Sequence, residues 1–303
     1  MNQEVYHIPA LLEPTIGALD INPEGIYVDV TYGGGGHSRE ILSHLTTGHL
    51  YAFDQDTDAV SRAMRDPRFT MIHGNFRYLR NFLRFYGVER GSVSGILADL
   101  GVSFHHFDDA DRGFSFRWDG DLDMRMNRAG GRTAATIIAE STEEQLADIL
   151  YYYGELKNAR RIAAEIVRHN ASRPVATVQQ LLEVVKPLIN PRQEKKELAQ
   201  IFQALRIEVN DELASLKALL SQSVEMLRPG GRLAVITYHS LEDRLVKNFM
   251  KTGNFEGKAE KDFYGRTLCD IRPVGNKPIV PDADEINANP RSRSAKLRVA
   301  EKI

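Results

Sequence analysis

One cysteine, one tryptophan, almost no net charge and no long apolar run mark this chain by what it omits. The lone Cys269 excludes a disulfide framework and any multi-cysteine metal site, so no metal and a reducing, cytoplasmic location are expected. No stretch approaches the roughly 18 consecutive apolar residues of a spanning helix, so no membrane partner is expected. The opening "MNQEVYHIPALLEP" lacks a basic segment followed by an apolar one, and no signal peptide is read there. A net charge of −2 excludes a globally basic nucleic-acid binder, but the charge is uneven. Between Lys157 and Arg206 ten Lys/Arg face four Asp/Glu, a local net of +6. The tail "NPRSRSAKLRVAEK" adds Arg291, Arg293, Lys296 and Arg298. Each patch is either a solvated face or a place where a polyanion is met locally.

What is present is a chain of 303 residues, enough for one large domain or two, with no internal repeat. Its first hundred residues alternate two textures. "GIYVDV" (25–30), "LYAFD" (50–54), "FTMIHG" (69–74) and "GILADLG" (95–101) read as strands, with helical patterns at 38–45, 57–64 and 76–87 between them. That alternation predicts parallel strands joined by helical crossovers. A further strand, "GRLAVITYH" (231–239), lies far downstream, and segments near 266–274 and 296–303 are expected to close the sheet as an antiparallel edge pair. The stretch between has amphipathic helical spacing and no strand signal. The expected fold is therefore a doubly wound α/β domain, 1–103 with 201–303, interrupted by a helical insertion over 104–200.

Within this frame, "YVDVTYGGGGHSREIL" sets four consecutive glycines between a strand and a helix. Ordering glycine is entropically costly, so the run suggests a close backbone approach by a ligand. Ligands of open α/β sheets bind beyond the carboxyl ends of the strands. There this chain places Asp29, Asp54 and Asp99, with Asn75, Phe76, Tyr238 and His239. A nucleoside triphosphate would need Gly-Lys-Ser/Thr, which "GGGGHS" lacks. A dinucleotide remains a rival, because Asp54 lies 18 residues beyond Gly36, near the spacing of a ribose-binding acid. Yet Asp29 ends the first strand where a pyrophosphate would want no carboxylate. S-adenosylmethionine fits better: Asp29 and Asp99 suit its cationic part, Asp54 its ribose diol, and Phe76 its adenine. The plainer reading of each aspartate is a helix cap or turn former.

The segments "HIPALLEP", "GIYVDVTYGGGGHS", "DLGVS", "DDADRGFSFRWDGDLDMRMN", "IFQALRIEVNDEL", "LRPGGRLAVITYHSLEDRLVKNFM" and "NPRSRSAKLRVAEK" together resemble one family across nearly the whole chain. It is the bacterial 16S ribosomal RNA cytosine-N4 methyltransferases, MraW/RsmH. The resemblance implies a class I, Rossmann-like methyltransferase fold with a helical insertion that recognises RNA. It also implies S-adenosyl-L-methionine as cofactor and, as substrate, a decoding-centre cytidine of 16S rRNA within the small ribosomal subunit. Carried over by motif, the cofactor contacts fall on Gly34, Gly35, Gly36, His37, Asp54, Phe76 and Asp99. A further contact falls on His106, where this chain departs from the family's Ser-Ser-x-Gln-Leu-Asp.

Methyl transfer to an exocyclic amine is an in-line displacement at carbon by a poor nucleophile, so the amine must be aligned and polarised. The Asp/Asn-Pro-Pro-Tyr segment used by many amino-methyltransferases is replaced here by "DLGVS" (99–103), which leaves the polarising group unread. Asp99 and His239 are the catalytic candidates. Gln203, Arg206 and Asn210 share one face of the helix pattern around "IFQALRIEVN", either solvated or turned to substrate. Arg206, Asn210, Arg291 and Arg293 are the substrate candidates, and Phe104, His105 and His106 the place to expect a group that stacks on a flipped base. Ser240 and Asp243 read as a Ser-x-x-Asp helix cap. Arg112, Asp119, Asp123 and Arg125 read either as ion pairs shaping a junction or as RNA contacts, and Trp118 reads as core. An NAD-dependent oxidoreductase and a non-catalytic RNA-binding factor are the competing classes. A monomer and a homodimer fit equally well.

Overall fold

Strands buried on both faces are mostly apolar, and the segment VSGILAD (93–99) is buried at every position but the last. In the computed structural model, which describes residues 9–102, 109–265 and 268–303, seven strands form one sheet. They are β1 (Ile26–Asp29), β2 (His49–Asp54), β3 (Phe69–His73), β4 (Val93–Asp99), β5 (Leu227–Thr237), β6 (Ile271–Pro273) and β7 (Lys296–Lys302), ordered β3-β2-β1-β4-β5-β7-β6. The first five pair in parallel, while β7 runs antiparallel to both β5 and β6. This is the doubly wound, Rossmann-like arrangement of class I methyltransferases, with the antiparallel edge pair where the sequence placed it.

Alternation along the strands feeds two cores. Val28, Val30, Ile96, Leu233 and Val235 face one layer, which the helices Leu79–Phe85 and Glu212–Met226 help to close through Leu79, Leu83, Leu216 and Leu220. Tyr27, Leu50, Leu97, Ala234 and Ile236 face the other, closed by Leu19 and Ile41 of helices Leu12–Leu19 and Gly36–His44. No helix among the described residues is long and apolar enough to cross a membrane.

The chain divides into two compact units, 1–101 with 213–303, and 102–212. The second is helical and has its own core, with Leu146, Leu150, Ile162, Ile166, Leu181, Val185, Phe202 and Leu205 all buried. Two of its helices, Glu143–Tyr152 and Val178–Val185, open with reciprocal capping boxes, Thr142 with Gln145 and Thr177 with Gln180. The expected boundary at 200 falls inside helix Glu194–Asn210. That helix is continuous, and its apolar face (Leu198, Ile201, Phe202, Leu205) completes the helical core, so the unit extends to Glu212. That helix ends at Asp211, which takes a left-handed conformation (φ 49°), and a second helix, Glu212–Met226, follows it.

The motif at 109–127 folds within this unit. Arg112 is buried, its guanidinium donating to the carbonyls of Arg125 (3.0 Å) and Met126 (3.2 Å). Asp123 pairs with Arg125 at 2.7 Å, and Asp119 accepts from the Gln179 amide. These contacts hold the loop together within the unit. Trp118, read as core, is instead 58% exposed.

Candidate active site

The carboxyl ends of β1, β2 and β4 bring three aspartates together, and each has a different task. Asp29 is buried and ties down its own loop, accepting from Ser38 Oγ at 2.6 Å and from the Thr31 amide at 3.1 Å. Burial raises its pKa to about 6 against those hydrogen bonds. The expectation that it meets a cofactor's cationic part gives way to this internal role. Asp54 spans from β2 to the glycine loop, accepting from the Gly33 amide at 2.8 Å and from the Asp56 amide at 2.9 Å.

Asp99 differs, because its side chain keeps 21% exposure. Its Oδ1 accepts from the Tyr238 hydroxyl at 2.8 Å, and its own amide donates to Thr31 Oγ1 at 2.6 Å. Burial pushes its pKa up to about 7; the Tyr238 bond opposes this, while the charges of Asp29 and Glu242 add to it. His37 Nδ1 lies 3.7 Å from Asp99 Oδ2. Burial lowers the His37 pKa to about 4, so this is a neutral imidazole beside a carboxyl group, not an ion pair.

The glycines separate by what surrounds them. A Cβ on Gly35 (φ 73°) would come within 2.7 Å of the Tyr32 ring, and one on Gly36 within 2.8 Å of the Pro9 ring. Both positions are therefore closed by the chain's own packing. A Cβ on Gly34 would meet nothing within 4 Å. Gly34 is thus the open wall of the loop, where a ligand can lie against bare backbone. This bare wall, a partly open carboxylate on which no cationic side chain among the described residues acts, and the buried His37 Nε2, without a hydrogen-bond partner among them, fit the polar and cationic groups of S-adenosylmethionine. Phe76 is half-buried, in the turn that Asn75 caps by accepting from the Arg77 amide.

Other candidates fall elsewhere. His239 is nearly buried, with Nε2 3.2 Å from Glu242 Oε1, and Glu242 Oε2 accepts from the Tyr238 amide. The imidazole is held at the start of helix Ser240–Thr252 and makes no side-chain cap there. The Ser-x-x-Asp cap is not made by Asp243, whose carboxylate binds Arg298 (2.7 Å) and Lys296 (3.5 Å) instead. Arg206 forms a two-point pair with Glu212 (2.8 and 2.9 Å). Asn210 accepts from the Met126 amide and donates to the Met124 carbonyl, both at 2.8 Å. Neither presents a free polar face to a substrate, while Gln203 donates to the Tyr153 carbonyl. Arg291 and Arg293 are exposed on the turn Pro290–Ser294. Phe104, His105 and His106 lie outside the described residues.

Sequence reasoning missed the Tyr238–Asp99 bond and the roles of Thr31 and Ser38. The available signal was "ITYHS" at the end of a strand that neighbours β4, since Asp99 sits opposite Ile236 in the register.

The model of the MraW methylase family matches residues 4–303. Ribosomal RNA small subunit methyltransferase H of Parabacteroides distasonis is 60% identical over 299 residues, covering 98% of each chain. The proteins of that name from Bacteroides fragilis and Flavobacterium johnsoniae are 59% and 54% identical, each over 98% or more of both chains. A family match over almost every residue, with relatives at this identity end to end, places the chain: it belongs to the MraW methylase family.

Proposed function

We propose that this protein is an S-adenosylmethionine-dependent methyltransferase that methylates the exocyclic N4 amine of a decoding-centre cytidine in 16S rRNA of the small ribosomal subunit. The observation that carries the reading is Asp99: a carboxyl group with a pKa near 7, partly open, held from one side by Tyr238 and beside a glycine loop whose Gly34 faces open space. When bound, the cofactor supplies an electrophilic methyl group on a sulfonium. Transfer of that methyl group to the amine nitrogen would leave the carbon–sulfur electron pair on sulfur and require the nitrogen to shed one proton. With Oδ1 occupied by Tyr238, Asp99 has Oδ2 left to accept from the amine's N–H and to take that proton near neutral pH. Asp54 shapes the cofactor loop through Gly33, and His37 stays neutral as a hydrogen-bonding group. The helical unit and the exposed Arg291 and Arg293 supply phosphate contacts.

The test is to incubate the protein with methyl-labelled S-adenosylmethionine and small subunits from a strain lacking this enzyme, then digest and locate the label by mass spectrometry. Label on N4 of one decoding-centre cytidine, lost with Asp99→Ala, supports the reading. Cofactor binding with no label on any RNA would sink it.

A further inference from the structure

One end of the helical unit carries a local excess of positive charge. Helix Glu143–Tyr152 stops at two tyrosines, a short turn follows, and helix Ala159–Ser172 begins. Asn158, just before that second helix, donates to the Leu188 carbonyl at 3.4 Å, which brings the segment around Lys186 to the same end. Gln203 donates to the Tyr153 carbonyl at 2.9 Å, docking the turn on helix Glu194–Asn210. Residues 151–161 and 186–197 therefore share one end of the unit. They carry seven Lys/Arg against three Asp/Glu, a net of +4.

Lys157, Arg160, Arg161, Arg192, Lys195 and Lys196 are exposed, and among the described residues none has a carboxylate at ion-pair distance. Lys186 alone is engaged, 3.7 Å from Glu194. Beside them Tyr151 and Tyr152 are 57% and 61% exposed, their rings packed edge to face with centroids 5.2 Å apart. A solvated helix end needs neither feature. Two adjacent aromatic planes left in water lose the burial that would stabilise them, and six unpaired cations repel one another.

We propose that this end of the helical unit is an RNA-docking surface, on which Tyr151 and Tyr152 stack bases of an unpaired rRNA segment flanking the target and the surrounding Lys and Arg hold its phosphates. The proposal rests on the rRNA reading given above and relocates substrate recognition from Arg206 and Asn210, which are spent internally. An acidic protein segment would be attracted by the same cations, but exposed aromatic faces beside unpaired cations are the pattern of single-strand binding.

The experiment compares wild type, Tyr151→Ala/Tyr152→Ala and Lys195→Ala/Lys196→Ala. Small-subunit methylation is followed against subunit concentration and salt, and binding of a fluorescein-labelled single-stranded oligoribonucleotide is read by anisotropy. The tyrosine pair is expected to raise KM for subunits and weaken oligonucleotide binding about tenfold each, with kcat and cofactor affinity unchanged. The lysine pair should reduce the slope of log affinity against log salt by about 1.4. Unchanged KM and anisotropy in both variants would overturn the proposal, as would weaker subunit binding with oligonucleotide binding intact, the mark of a protein partner. If wild type methylates no RNA, the enzymatic reading fails, yet the anisotropy arm still decides whether this surface binds RNA.

Discussion

The Tyr238 hydroxyl donates to Asp99 Oδ1 at 2.8 Å, joining the ends of two neighbouring parallel strands. Burial pushes the Tyr238 phenol well above its usual pKa, so the hydroxyl remains a donor throughout the working range. Among the described residues, Asp29, His37 and Glu242 are the other titratable groups around this carboxyl group. His37 is neutral and the two acids disfavour the carboxylate, so among the described side chains Tyr238 is the one that favours it.

Removing that donor should therefore shift the acid limb of the pH–rate profile. In wild type, activity requiring ionised Asp99 rises through about pH 7. In Tyr238→Phe the carboxylate loses a hydrogen bond of roughly 1–1.5 kcal/mol, so its pKa rises by about one unit. At pH 6.5 or so kcat/KM should drop about tenfold, and the loss should shrink as pH approaches about 9. A pH-independent loss would make Tyr238 merely structural.

Much of this frame was legible in the residues. β1, β2, β4 and β5 are covered on both faces, so they read as apolar runs, and glycine or aspartate punctuates their ends. The helical unit was legible as a class and illegible at its far edge, because helix Glu194–Asn210 keeps the same spacing whichever core it serves. Trp118 was misread because apolar size predicts burial only on average. Of the glycine run, the sequence suggests one purpose for all, whereas Gly35 and Gly36 answer to Tyr32 and Pro9 and Gly34 to open space. The Asp99–Tyr238 bond depends on the register of β4 against β5, which no local pattern encodes.

The glycine distinction is itself testable. Gly34→Ala should leave the melting temperature of the ligand-free protein unchanged and weaken S-adenosylmethionine binding at least tenfold by calorimetry. Gly35→Ala should instead destabilise the fold by about 1–3 kcal/mol, since its φ of 73° is strained for any other residue and its Cβ meets the Tyr32 ring. If Gly34→Ala binds cofactor normally, the loop is not the cofactor wall.

Asp29 provides a stability signature. Its folded pKa, about 6, is raised above the unfolded value of 3.8. Stability from the protonated group is thus fully present below about pH 4 and is lost as pH rises through about 6, amounting to about 3 kcal/mol. Asp29→Asn keeps an acceptor for Ser38 without a titrating charge. The ligand-free variant should show a smaller loss of denaturant midpoint between pH 5 and pH 8 than wild type does. An identical pH dependence in the two proteins would count against the raised pKa.

Arg206 and Asn210 separate structural from substrate roles. Asn210 holds the Met124 carbonyl and the Met126 amide, and Arg206, only 13% exposed, is paired at two points with Glu212. Truncating either side chain leaves buried or half-buried partners unpaired, at a cost of about 1–3 kcal/mol each. Asn210→Ala and Arg206→Ala should accordingly lower the urea midpoint, while KM for small subunits stays within about twofold of wild type at a temperature where both variants remain folded. Removing the Asn210 side chain frees the chain around Met124, whose φ of 60° is left-handed for a side chain of that size, so Asn210→Ala should be the more damaging of the two. A large rise in KM with the midpoint unchanged would return these residues to the substrate-binding face.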